Sequence, residues 1–294
     1  MKRLEKLARS VMLINVTIRG IGGEKKDRTR SAAIAQSNNA DADRVNLSIS
    51  TIKRERLKPV RVAAEAIRAE LRRFGTPFGG TNTYAVPAHR VPDALTRIRV
   101  KIMEREDAVA DMLADYDSIK AEAKLALGEL WDEEKFPSKV KLQQGFTASV
   151  HVMPAPGLGT KLMMVTPEAA DMLMQAAEES SREVFNGVIN DAVQQLIEKV
   201  KHLHAVVTAK KPRIYETRLV QVCEAADLLR GFVDAVDDER LTALMDTADV
   251  LVASLPKVDD LRGDDGQFAR MRVADKTSEV LAEASKIAED MAWL

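Results

Sequence analysis

Apolar residues recur at alternating intervals of three and four along much of the chain, the pattern of helices that bury one face. The clearest run is Leu95, Ile98, Ile102, Arg105, Val109, Met112, Tyr116, Ile119, Ala123, Ala126 and Leu130. Only Arg105 interrupts this apolar seam, which extends over five heptads. Pro92 suits the start of such a helix, and apart from Gly128 no breaker follows until Phe136-Pro137. The spacing therefore predicts a rod of about 40 residues, roughly 60 Å long. One helix cannot bury such a seam alone, so partners of similar length are expected.

Thr166-Pro167-Glu168 reads as a helix start, with a hydroxyl cap, a first-turn proline and an acid near the positive helix end. Its helix is expected to run to Ala209, before Lys210-Lys211-Pro212, with a face of Phe185, Ile189, Ala192, Leu196, Val200, Leu203 and Val207. Tyr215, Leu219, Val222, Ala226, Leu229, Val233 and Val236 form a further seam. Leu241, Leu244, Ala248, Leu251 and Leu255 continue the spacing after Asp237-Asp238, and Val273, Val280, Ala284, Ile287 and Met291 close the series. The rod from Pro92 to Leu130 is expected to pack against the helices after Thr166 and Tyr215.

The front of the chain is less regular. Leu4, Leu7, Ala8 and Val11 share a helical face, Val11–Ile18 reads as a strand, and Gly20-Ile21-Gly22-Gly23 breaks it. A polar basic loop is expected through Arg30, a short strand at Val45, Leu47 and Ile49, and a helix from about Pro59 to Phe74. Between the long helices, the alternation Phe146, Ala148, Val150, Val152, the turn after Pro154 and the apolar Lys161–Val165 predict a β-hairpin at about 140–165. The fold class is thus mainly α: a long antiparallel, coiled-coil-like helical bundle with a small β-hairpin insert and a small α+β N-terminal part. Two regions are expected, a basic α+β region at 1–90 and the bundle at 91–294.

Charge sharpens that division. Residues 1–101 hold 22 Lys and Arg against 9 Asp and Glu, and the remainder 22 against 36, so +13 faces −14 within a net of −1. Such polarity suits a nucleic-acid face, or two ends that attract one another. The cationic stretch is Lys53, Arg54, Arg56, Lys58 and Arg61, continued by Arg68, Arg72 and Arg73. These eight are the candidate contacts for nucleic acid or for an acidic partner. Nearby Phe74, Phe78 and Tyr84 are of the type that stacks on bases, and their spacing equally suits core anchors.

No catalytic or cofactor motif emerges, and no cofactor or metal is expected. Lys25 stands where the dinucleotide fingerprint needs a third glycine, so Gly20–Gly23 reads as a flexible turn. Gly157-Leu158-Gly159-Thr160-Lys161 has its Lys and Thr in the wrong order for a phosphate loop. His202 and His204, two apart on a helix, do not share a face, and Asp259–Gly266 lacks the alternation of a calcium loop. Cys223, the single cysteine, reads as a small seam-side residue, since no nucleophile motif surrounds it. With no export signal or apolar run of spanning length, the expected location is the cytoplasm. Five of the twelve methionines fall between Met153 and Met174, a composition suited to adaptable contacts.

Residues 55–170 also carry a resemblance. A helix ending Arg72-Arg73-Phe74-Gly75, then Tyr84-Ala85-Val86-Pro87, a long helix with Tyr116, Phe136-Pro137-Ser138 and Gly145-Phe146-Thr147-Ala148-Ser149-Val150-His151-Val152-Met153-Pro154 follow one another. This order resembles a family of unknown function from tailed phages and mobile elements. Its genes often lie beside those of MoxR-type AAA+ ATPases and von Willebrand factor A proteins. The resemblance implies a non-enzymatic interaction protein, an adaptor or partner of such an ATPase, in the host cytoplasm, and it supplies no catalytic residues. Self-association is compatible with the seams. The alternatives are a nucleic-acid-binding protein of phage recombination or replication and, third, a helical pore-former, although a membrane partner is not expected.

Overall fold

The structure, a computed structural model, describes residues 2–79, 82–155, 167–210, 212–263, 265–287 and 293. It is mainly helical, 72% by residue, with ten helices and a small antiparallel sheet among the described residues. In chain order these are α1 (Lys2–Ser10), β1 (Val11–Ile18), β2 (Glu24–Lys26), α2 (Arg28–Ser37), β3 (Ser48–Ser50), α3 (Arg54–Phe74), β4 (Thr76–Pro77) and β5 (Thr83–Pro87). Then follow α4 (Val91–Ala114), α5 (Tyr116–Leu127), α6 (Lys139–Gly145), β6 (Ala148–Pro154), α7 (Pro167–Val207), α8 (Glu216–Val236), α9 (Glu239–Ser254) and α10 (Gln267–Ile287). The larger sheet has the order β4-β5-β1-β6, and β2 pairs with β3. Two compact units result: residues 1–15, 70–95 and 151–294 form the first, and 16–69 with 96–150 the second. The divide falls within β1, α3, α4 and β6.

In the first unit the expected seams are the core. Phe185, Ile189, Ala192, Leu196, Val200 and Leu203 of α7 are fully buried, and Val207 nearly so. Val188, Val193 and Ile197 widen that face, because α8 and α10 cover α7 on different sides. At 1.5 Å per residue, the 41 residues of α7 extend for roughly 60 Å. Leu219 to Val236, Leu241 to Leu251, and Val273, Val280, Ala284 and Ile287 are buried at the expected positions of α8, α9 and α10. Tyr215 departs from its seam: it is the residue before α8 in extended backbone, and it is 58% exposed. Asp237 turns the chain in the left-handed region (φ 55°), and Asp238 caps α9 by accepting from Arg240 N at 2.9 Å. Position 277, left out of the apolar series, holds a buried threonine whose hydroxyl lies 2.8 Å from His204 Nδ1. Leu4, Leu7 and Ala8 add the inner face of α1, as their spacing predicts, whereas Val11, expected on the same face, opens β1 and is buried there.

In the second unit the seam of α4 and α5 finds cover close by. Val109, Met112, Tyr116 and Ile119 pack with Ile52, Leu57 and Val60 of the chain entering α3, and with Leu142 and Phe146. The expectation that helices after Thr166 and Tyr215 cover this seam is corrected, since those helices bury their apolar faces against one another. The single rod is corrected as well. It is interrupted at Asp115, and its second part stops at Leu127, where Gly128 takes φ 49°. Asp115 keeps right-handed helical dihedrals and its carbonyl still accepts from Ile119 N at 3.0 Å, so the seam stays in phase across the interruption. Ala126 and Leu130, beyond the reach of this core, are exposed.

Three further expectations change in this part of the chain. The basic loop after Gly23 contains β2 and α2, the latter without an apolar face for periodicity to find. The predicted strand narrows to Ser48–Ser50, set by pairing of Lys25 with Ile49. Helix α3 begins five residues before Pro59, because Lys53 O accepts from Arg56 N and Leu57 N, and the proline costs only a bond near the helix start. Strand β6 is the first half of the predicted hairpin; the second, Lys161–Val165, lies outside the described residues, as does the Gly157–Lys161 turn. Of the methionines between 153 and 174, only the Met153 side chain is described, and it is exposed.

Asp27 ties this unit together. Its buried carboxylate accepts from Arg30 N at 3.0 Å, capping α2, and pairs with Lys135 Nζ. The Lys135 hydrogen bond, followed by the Arg30 amide, holds the Asp27 pKa below the ordinary carboxylate value, although burial opposes them. A depressed folded pKa contributes stability that is complete above the unfolded pKa of about 3.9 and is lost as pH falls below it through the lower folded pKa. Denaturant titrations between about pH 7 and pH 3 should therefore show an acid-labile component that Asp27→Asn removes.

Candidate functional site

Seven of the eight candidate cations lie on α3, and Lys53 immediately precedes it. Acids of the same unit occupy four of them. Arg54 pairs with Glu24 at 3.1 Å, Arg56 with Glu122 at 2.8 Å and Asp115 at 3.7 Å, and Arg68 with Glu65 one turn away. In the first unit, Arg73 holds Glu224 through Nε at 2.7 Å and through Nη2, with Glu70 at 3.7 Å. The hydrogen-bonded Glu224 carboxylate raises the Arg73 pKa against the effect of burial. Exposed pairs contribute only about 0–1 kcal/mol each, but they do neutralise charge. Lys53, Lys58, Arg61 and Arg72 are exposed, as Arg54 and Arg56 are. Arg54, Arg56, Arg68 and Arg73 are thus partly neutralised by these acids.

A different arrangement encloses space. In the second unit a cavity of about 550 Å³ is bounded by the Gly20-Ile21-Gly22 loop, the outward turns of α3, α4 and the end of α6. Its walls are Ile18, Ile21, Leu57, Val60 and Phe146, and its charged groups are Arg19, Arg61, Arg68, Arg105 and Glu65. Glycines permit this closeness. A Cβ at Gly145 would fall 2.2 Å from Ile21 Cδ1, and one at Gly20 would already touch the Phe146 ring at 3.5 Å.

Arg105 is the unusual member. It is 1% exposed, its Nη2 donates to Arg19 O at 2.6 Å, and its guanidinium lies 6.0 Å from the Phe146 ring centre. Its Nε and Nη1 are buried without a hydrogen-bond partner among the described residues. Burial pushes its pKa below the ordinary arginine value; Glu106 opposes this and Arg68 adds to it. An arginine stays charged at neutral pH regardless. The sequence carried a signal for it, as the one polar position in an otherwise apolar seam.

In the first unit, a second cavity of about 860 Å³ is lined by Arg90, Cys223 and the loop after α9. Arg90, 6% exposed, is answered by Asp227 at 3.1 Å and stacks 5.1 Å from the Phe74 ring centre. Here Arg90, Lys257 and Arg262 meet Glu216, Glu224, Asp227 and Asp259, so the charges roughly cancel. Burial raises the Cys223 thiol pKa, which disfavours the nucleophilic thiolate. Phe74 is buried, and Phe78 packs edge-on to Phe185 with centres 5.4 Å apart, so both act as core anchors. Among the described residues no three His, Cys, Asp or Glu side chains are grouped to hold a metal ion, and no helix is long and apolar enough to cross a membrane. Compared with family models, curated proteins and solved structures, the chain matches none.

Proposed function

We propose that the protein is a non-enzymatic helical interaction protein of a phage or mobile element, serving as adaptor or partner of a MoxR-type AAA+ ATPase or its von Willebrand factor A companion. The observation that supports the interaction reading is the first turn of α10. There Phe268 is 80% exposed and Met271, one turn on, is 54% exposed. Aromatic and methionine side chains are enriched where proteins meet, and a large apolar pair left in water favours a partner that covers it. The choice of partner rests on the resemblance carried by residues 55–170. In this reading α7 to α10 form an antiparallel, coiled-coil-like bundle that presents the pair.

A second reading, nucleic-acid binding in recombination or replication, is favoured by Lys53, Lys58 and Arg61, which stay exposed along the opening turns of α3. One preparation tests both. Tagged chain, co-expressed with the MoxR-type AAA+ ATPase that this reading expects beside its gene, should retain that ATPase through purification. Phe268→Ala with Met271→Ala should weaken capture at least about tenfold. If the unaltered chain captures no ATPase, the first reading is wrong. Salt-sensitive binding to DNA or RNA, removed by Lys53→Ala, Lys58→Ala and Arg61→Ala together, supports the second reading, and silence at low salt ends it.

A further inference from the structure

A buried, unpaired cation beside an open cavity calls for a counter-ion. Isolating a charge from water is costly, and a buried charge is normally paired. Arg105 has no carboxylate within ion-pair distance among the described residues, and two of its three nitrogens lack any hydrogen-bond partner. The cavity it lines also receives Arg19, Arg61 and Arg68 against a single acid, Glu65, which is engaged by Arg68. Four cations against one anion leave a surplus better matched to a dianion than to a single carboxylate. The remaining wall is apolar and includes the Phe146 ring, and the volume of about 550 Å³ is that of a small-molecule pocket.

We propose that this cavity binds a small organic phosphate monoester, its phosphate held by Arg105 and Arg61 beside the Gly20-Ile21-Gly22 loop and its organic part against Phe146 and Val60. Guanidinium groups suit this task because their planar donors match phosphate oxygens. The Arg105 bond to Arg19 O holds the guanidinium against the loop, so the site is largely formed before the ligand arrives. Lys25, which spoils the dinucleotide fingerprint, lies outside this arrangement: recognition here rests on side-chain cations and not on a helix-opening phosphate loop. The proposal is independent of the partner reading above, since it needs neither Phe268 nor a second protein.

The test is calorimetric titration of the full chain with phenyl phosphate in phosphate-free buffer, beside inorganic phosphate, benzoate, phenol and a short single-stranded oligonucleotide. The expected result is one phenyl phosphate per chain, bound at least about tenfold more tightly than inorganic phosphate, benzoate or phenol. Arg61→Ala should weaken it severalfold, and because Arg61 is exposed this variant tests the site without threatening the fold. Arg105→Met should abolish binding while the melting temperature holds or rises, because an apolar isostere removes an uncompensated buried charge. Should the methionine variant fail to fold, Arg61→Ala decides alone. The proposal is overturned if phenyl phosphate gives no saturable heat at millimolar concentration, if its binding survives Arg61→Ala unchanged, or if the oligonucleotide displaces it at lower concentration.

Discussion

Replacing Trp293 with alanine should destabilise the first unit by about 3–5 kcal/mol, among the largest effects any single side chain here can produce. Trp293 is 2% exposed and is the bulkiest of the fully buried side chains. Its indole Nε1 donates to Asn190 Oδ1 at 2.6 Å, its backbone N donates to Asn186 Oδ1 at 3.1 Å, and the Arg240 guanidinium sits 4.9 Å from its ring centre. Truncation therefore removes a large apolar volume, strands the Asn190 carbonyl and uncovers Arg240. Trp293→Phe separates these contributions, because it keeps much of the volume but loses the donor, and about 1–3 kcal/mol is expected for the unsatisfied amide. Chemical denaturation should show a lower midpoint for both variants, the alanine well below the phenylalanine, at an unchanged slope. A midpoint that does not move with alanine would mean that Trp293 is not seated on α7.

The second large effect distinguishes two neighbouring glycines. A Cβ at Gly23 would lie 2.2 Å from Ile52 O and 3.0 Å from Leu57 Cδ1, whereas one at Gly22 would meet nothing within 4 Å. The Gly23 carbonyl also accepts from Thr51 N, Ile52 N and the Thr51 hydroxyl, so backbone has to move if a methyl group is added. Gly23→Ala should cost roughly 1–3 kcal/mol or more by overpacking. Gly22→Ala should stay within about 0.5 kcal/mol, as surface changes usually do. Thermal unfolding of the two variants side by side checks this, and equal midpoints would refute the close approach.

These glycines also show where local pattern stops informing. The run Gly20–Gly23 reads as a flexible turn, because glycine content alone does not distinguish freedom from crowding. Only the arrival of Ile52, some thirty residues on, makes Gly23 obligatory. The faces of α7 to α10 were legible because each is one period repeated, and the apolar effect that buries them depends on that period alone. Thr277 escaped because its hydroxyl is satisfied by Ala274 O, which lets a polar residue occupy a core position. Helix α2 escaped for the opposite reason: it has no apolar stripe and is held by the Asp27 cap and its neighbours. Hydrophobic spacing located the α4 seam but not its cover, since a seam states that it must be buried and not by what. The cavity draws on the β1 exit, α3, α4 and Phe146, four stretches with no common spacing, so of its members only Arg105 left a mark in the pattern.

The interleaving of the two units bears on the order in which the protein acquires its fold on the ribosome. All residues of the second unit have been synthesised by position 150, so it can close while α7 to α10 are still unmade. Helix α1, made before the second unit, packs chiefly on α8, and Lys6 Nζ donates to Asp234 O across 228 positions of sequence. Leu4 and Leu7 thus wait until α8 is made with their apolar face uncovered, and closing so long a loop is slow as well as entropically costly. During that interval α1 is the segment a chaperone would be expected to shield.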